Sequence, residues 1–99
     1  MISETTIRKV RELAIEDVLS PYVRLSRKGS TLMGLCPFHT EKTGSFAVTP
    51  SKNLFHCFSC NRGGDSITFI MEKENLSFSA AVEFIARNHN IPVEYISEE

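Results

Sequence analysis

The chain has little cysteine, no long apolar run and no surplus of charge, and each absence removes a class of protein. Its 99 residues include three cysteines, too few and odd in number for the disulfide framework of a small secreted domain. No apolar signal segment or membrane-spanning run is visible, so we expect a cytoplasmic protein with no membrane partner. A formal net charge of −1 gives no bulk support for nucleic-acid binding.

Familiar catalytic motifs are missing as well. The sequence contains no Ser-His-Asp arrangement, no Walker loop, no internal repeat and no low-complexity tract. The pair Gly63-Gly64 is too short to predict a phosphate cradle and is better explained as a turn that leads into a helix. We therefore expect one domain at most, without a catalytic site in this chain.

The three cysteines and one histidine form two short pairs with the spacing of a zinc site. Two residues separate Cys36 from His39, two separate Cys57 from Cys60, and 17 residues (40–56) lie between the pairs. Each pair predicts a tight knuckle, and two knuckles give a closed tetrahedral shell of three thiolates and one imidazole. We predict one structural Zn²⁺ held by these four residues. Unrelated buried cysteines and a Cys-x2-Cys redox motif are weaker alternatives, the latter because no βαβ pattern surrounds it.

A structural zinc matters more in a chain of this length than in a large domain. Its apparent binding free energy, on the order of 10–16 kcal/mol, matches or exceeds the whole stability of a small domain. Folding should therefore depend on metal.

The hydrophobic pattern predicts a small antiparallel sheet flanked by helices. Residues 3–20 have helical spacing, with a break near Ala14-Ile15 and an end at Pro21. Residues 22–64 should form two hairpins that lead into the knuckles, the first with a charged tip at 27–30. Residues 65–90 should form two helices, capped by Asp65 or Ser66 and by Ser77. The expected fold class is α+β, a zinc ribbon divided into these three segments.

The charges are segregated along the chain. The stretch from Arg24 to Arg62 contains six basic residues and one acid, Glu41, whereas residues 65–99 are predominantly acidic. This pattern suggests a basic surface near the zinc site, provided that the basic residues share a face.

The two remaining histidines are weaker candidates for metal binding. His56 precedes Cys57, and strand alternation should point it away from a metal that Cys57 faces. His89 lies on or beside the apolar stripe of the last helix, far along the chain from both knuckles. We expect His56 to be a surface group or a group next to a metal ligand, and His89 to be a core or helix-end group.

The motifs resemble the N-terminal zinc-binding domain of bacterial DnaG-type DNA primases and of primase-like proteins from phages and mobile elements. The resemblance rests on the run from Gly34 to Phe46, on Phe55 to Cys60 and on Gly63-Gly64-Asp65. It implies a zinc ribbon with Cys36, His39, Cys57 and Cys60 as ligands. Gly44 and Asn61-Arg62 depart from the usual pattern without affecting a ligand.

The resemblance also implies a function in DNA replication. It suggests recognition of the single-stranded DNA template where a primer begins, as part of the primosome, with a primase catalytic domain and the replicative helicase as partners. The polymerase activity would lie in another domain or chain. The alternative is a protein-docking module of a mobile-element primase-like protein.

Single-stranded DNA is held by basic residues that follow the phosphates and by aromatic rings on which bases stack. The candidates for these contacts all fall in the zinc-ribbon segment. Strand alternation turns about half of the aromatic rings inward, so Phe58 is an alternative to either predicted ring. The predicted DNA contacts are Arg27, Lys28, Lys42, Lys52 and Arg62, with Phe46 and Phe55 as stacking residues.

Overall fold

The computed structural model describes residues 2–38 and 45–96 of the chain, which form four helices and one five-stranded antiparallel sheet. The helices are α1 (Glu4–Glu12), α2 (Ile15–Leu19), α3 (Ser66–Glu74) and α4 (Phe78–Asn88). The strands are β1 (Ser26–Lys28), β2 (Thr31–Gly34), β3 (Phe46–Thr49), β4 (Leu54–Cys57) and β5 (Gly63–Gly64), and they lie side by side in chain order. The α+β zinc-ribbon prediction is confirmed.

Short polar side chains start the longer helices. Ser3 accepts a hydrogen bond from the backbone of Thr6 in α1, and Ser77 accepts one from Ala80 in α4, both at 3.3 Å. The carboxylate of Asp65 accepts the backbone N–H of Thr68 at 2.9 Å in α3. Each bond satisfies a backbone donor that has no partner within its own helix. The predicted caps at Asp65 and Ser77 are confirmed.

Both predicted hairpins are present, and the tip of the first is at Gly29-Ser30. Two details differ from the prediction. Arg27 and Lys28 lie in β1 rather than in the tip, and Gly63-Gly64 forms the short strand β5 rather than only a turn. Gly63 pairs with His56, and a Cβ added at Gly63 would lie 3.1 Å from its ring.

The sheet has one covered face and one open face. Phe46, Val48, Phe55 and Cys57 point to the covered face, where all four are buried, and Phe69 of α3 packs against them. The ring centroid of Phe69 lies 6.0 Å from that of Phe46 and 5.4 Å from that of Phe55. A single aromatic side chain thus joins the helical layer to β3 and β4.

The opposite side of the sheet is exposed or half-buried except for the small Ala47. Side chains at paired positions of neighbouring strands point to the same face, so the strand register identifies this surface. We call it the open face, and it consists of Ser26, Lys28, Thr31, Met33, Ala47, Thr49, Leu54, His56 and Gly63. The zinc knuckles lie at one end of the sheet and the hairpin tips at the other.

The ends of the described chain meet beside α1. Ile2 forms an isolated antiparallel bridge with Tyr95, and the backbone N–H of Ser3 donates to the carbonyl of Glu94 at 2.9 Å. Within residues 2–38 and 45–96, no helix has both the length and the apolar character needed to cross a membrane.

Candidate metal centre and open sheet face

The three cysteines converge at the end of the sheet although they are distant in sequence. Their sulfur atoms all lie within 4.8 Å of one another, and the Sγ atoms of Cys36 and Cys60 are 3.7 Å apart. A disulfide needs a sulfur separation of about 2.0 Å, which excludes one between these two residues. Tetrahedral Zn²⁺, with Zn–S bonds of about 2.3 Å, places sulfur ligands about 3.8 Å apart. The cluster therefore has the spacing of zinc thiolate ligands.

The electrostatic environment of the three cysteine sulfur atoms also favours a bound cation. Burial, opposed by a backbone hydrogen bond at Phe38 and reinforced by the neighbouring Cys57 and Cys60, raises the pKa of the Cys36 thiol to about 12. Three thiolates this close would repel one another strongly without a compensating positive charge. A divalent metal ion supplies that charge and releases the protons, which fits the soft sulfur donors present here.

The second knuckle is closed by backbone hydrogen bonds. The N–H of Asn61 donates to the carbonyl of Cys57 at 2.8 Å, and the N–H of Cys57 donates to the carbonyl of Arg62 at 2.7 Å. Asn61 has a φ of 59°, the left-handed conformation that asparagine tolerates better than most residues. These bonds reverse the chain tightly enough for Cys57 and Cys60 to face one point.

The first knuckle is packed into the core by Phe38. Its ring centroid lies 5.3 Å from that of Phe69, and the guanidinium of Arg62 covers the ring at 4.8 Å. The ammonium of Lys73 donates to the carbonyl of Pro37 at 3.2 Å. Two cations from outside the knuckle therefore hold Pro37 and Phe38 in place.

The predicted ligand His39 lies outside the described residues, as does the predicted DNA contact Lys42. The sequence analysis also missed Ser45, whose hydroxyl lies 3.8 Å from the Cys57 sulfur and 2.8 Å from the Ser59 hydroxyl. Such a contact orients the sulfur. The only hint in the sequence was the position of Ser45 just before β3, which pairs with β4, the strand that leads into the second knuckle.

The structure corrects the predicted stacking residues. Phe46 and Phe55 are 0% and 3% exposed on the covered face, with ring centroids 5.4 Å apart, so neither ring can stack on a base. Phe58, the alternative, is 69% exposed. Strand residues alternate between the two faces of the sheet, and the face covered by the helices includes Phe46 and Phe55.

The predicted basic contacts do not all lie on one face. Lys28 belongs to the open face, and Lys52 lies exposed in the turn between β3 and β4. Arg27 alternates to the other side of β1, where it is exposed at the hairpin tip. Arg62 is engaged with Phe38. Of the described candidates, Lys28 and Lys52 remain closest to the expected role.

The two remaining histidines lie where the sequence suggested. His56 is on the open face, with its ring centroid 4.7 Å from that of Phe58, whereas the adjacent Cys57 is fully buried on the covered face. His89 caps the C-terminus of α4.

Comparison with known proteins agrees with this geometry. The family model described as the CHC2 zinc finger matches residues 2–99. The DNA primase of Streptomyces coelicolor is 47% identical over 96 residues, covering 95% of this chain and 15% of that protein. The DNA primase of Helicobacter pylori is 45% identical over 96 residues, covering 96% and 17%.

A solved structure is similar as well. The Aquifex aeolicus primase, described by its zinc-binding and RNA polymerase domains, superimposes with a TM-score of 0.81 at 38% identity, covering 92% of this chain and 22% of that one. The chain thus spans about a sixth of the length of the curated primases it matches. Its three-cysteine cluster is the site of a structural zinc. The chain belongs to the CHC2 zinc finger family, the zinc ribbon of DnaG-type DNA primases.

Proposed function

We propose that the chain recognises the single-stranded DNA template of a DNA primase at the start of primer synthesis, and that it does so on the open face. The observation that carries this proposal is the charge of the sheet. None of the five strands contains an acidic residue, whereas β1 contributes Lys28 to the open face and Arg27 to its other side. The four helices carry seven acidic and five basic residues, a net negative charge. A polyanion is therefore repelled less by the sheet than by the helices.

The zinc site gives this surface its shape rather than any chemistry. In this proposal His39 completes the shell formed by Cys36, Cys57 and Cys60, so that no position is left for a catalytic water. The zinc ribbon (22–64) and its flanking helical segments (3–20 and 65–90) act as one module. The polymerase chemistry, the replicative helicase and the rest of the primosome belong to other domains or chains.

A charge-reversal experiment tests the proposal. We expect the 99-residue chain to bind short labelled oligonucleotides weakly, with a dissociation constant of roughly 10⁻⁴–10⁻⁶ M at physiological salt, and more tightly at low salt. Lys28→Glu combined with Lys52→Glu should abolish this binding without loss of zinc. The matched control is Arg8→Glu with Lys9→Glu on α1, which changes the charge equally on the helical layer.

Fluorescence anisotropy at two salt concentrations, with zinc content measured in parallel, distinguishes the outcomes. The proposal is supported if the Lys28→Glu and Lys52→Glu double variant loses binding while the α1 double variant keeps it. It is overturned if the parent chain does not bind at low salt, or if both double variants bind equally well. A protein-docking role would then be favoured.

A further inference from the structure

Each zinc knuckle carries one exposed apolar side chain next to a cysteine. Leu35 immediately precedes Cys36 and is 50% exposed, and Phe58 immediately follows Cys57 and is 69% exposed. Their neighbours Cys36 and Cys57 are buried. The cysteines anchor the backbone at both positions, so the two apolar groups are held in water by a rigid part of the fold.

Leu35 forms the apolar wall of a cleft at the edge of the open face. The cleft has a volume of about 320 Å³ and is also lined by Met33. Arg24 and Lys28 are its cationic lining residues, and none of the described residues that line it is acidic. A cleft lined by apolar side chains and two cations fits a ligand with a flat apolar body and an anionic end, which is the chemistry of a nucleotide. The remaining lining residues are Ser26 and Gly34.

Phe58 offers a second contact across the same face. The ring of His56 meets it edge-on, at an interplanar angle of 66°, and supports it on the side of β4. Met33, Ala47 and His56 are paired across β2, β3 and β4, so the cleft and the Phe58 ring lie on one surface. Two strand spacings separate Met33 from His56, about 9.6 Å.

We propose that Leu35 and Phe58 each contact one base of the same DNA strand, with Arg24 and Lys28 binding the phosphate beside the Leu35 base. This inference rests on the proposed function and names the groups that read the template. A base can lie against the Leu35 or the Phe58 side chain only if one of its two faces is free, whereas both faces of a base inside a duplex are covered by neighbouring base pairs. The pair therefore favours single-stranded DNA.

The test compares two oligonucleotides of equal length and charge, a thymidine decamer and a decamer of abasic residues. Stacking of one base on an aromatic ring is typically worth roughly 5- to 150-fold in affinity. The parent chain should bind the thymidine decamer at least tenfold more tightly. Leu35→Ser and Phe58→Ser should each reduce that ratio about fivefold or more. Ile96→Ser, at another exposed apolar residue, should leave it unchanged.

The outcomes separate this inference from the function it rests on. If the parent binds both decamers equally, or if the Leu35 and Phe58 variants keep the parent ratio, the base contacts are refuted while DNA binding stands. If the parent binds neither decamer, both proposals fail. Zinc content is measured for every variant. Should Phe58→Ser lose zinc, Phe58→Leu replaces it, and an unchanged ratio in that variant counts against the aromatic contact.

Discussion

The side-chain carbonyl of Asn53 accepts a 2.8 Å hydrogen bond from the backbone N–H of Ile15, the first residue of α2. The amide nitrogen of Asn53 donates to the carbonyls of Arg11 and Leu13 at 2.9 and 3.0 Å. One side chain in the β3–β4 turn therefore satisfies three backbone groups at the break between α1 and α2. It fixes the second hairpin to the helical layer.

We expect Asn53→Ala to lower the free energy of unfolding by roughly 1–3 kcal/mol, because three backbone groups lose their partner. Asn53 also has a φ of 57°, which disfavours alanine. Asn53→Gly removes the hydrogen bonds but tolerates this φ, so it should cost less. Urea denaturation with excess zinc measures both. A loss below about 0.5 kcal/mol for Asn53→Ala would show that the hydrogen bonds are not important for stability.

We expect Cys57→Ser to abolish stoichiometric zinc binding and to unfold the domain. Cys57 is fully buried and belongs to the sulfur cluster, and the zinc free energy is comparable with the whole stability of the fold. Metal analysis and circular dichroism check the two effects. Ser59→Ala is the control: Ser59 lies in the same knuckle, two residues after Cys57, but is not a predicted ligand, so this variant should keep its zinc. A chain that stayed folded in excess chelator would contradict this expectation.

The three histidines should behave differently on substitution. His39→Ala should release zinc, because only His39 completes a knuckle. His56→Ala and His89→Ala should retain it, since His56 lies on the open face and His89 ends α4. Zinc content after dialysis against a weak chelator distinguishes them. Equal zinc loss from His56→Ala would refute the assignment of His39.

Arg62 should support the zinc site rather than bind phosphate. Its guanidinium lies 4.8 Å above the Phe38 ring, and an exposed cation–π contact is worth about 0.5–1 kcal/mol. We expect Arg62→Ala to speed zinc transfer to a chelator by a few-fold, with Arg62→Lys intermediate. DNA affinity should fall less than in the Lys28 and Lys52 double variant. A larger loss of DNA affinity in Arg62→Ala than in the double variant would instead indicate that Arg62 contacts DNA.

Local signals made much of the fold predictable from the sequence. The two-residue spacing of the cysteines, the caps at Asp65 and Ser77 and the hairpin tip at Gly29 depend on a few neighbouring residues. The sequence therefore predicted the three-cysteine cluster and the order of the elements. Local sequence could not show which side of the sheet the helices would cover.

That choice depends on long-range packing. Because Phe69 packs against Phe46 and Phe55, these two predicted stacking residues belong to the core. The roles of Asn53 and Arg62 were missed because their partners, Ile15 and Phe38, lie 38 and 24 positions away along the chain. Hydrogen-bonding and cation–π partners at such separations leave no periodic signal in a single sequence.

The alternation of side chains along β4 limits which insertions and deletions the zinc ribbon can tolerate. Cys57 faces the sulfur cluster while its neighbour His56 lies on the open face, and Phe55 is buried in the core. Inserting or deleting one residue within this strand would exchange the two faces, exposing a thiol and burying an imidazole. Length variation should therefore be confined to the hairpin tips, while substitutions on the open face leave the sulfur cluster in place.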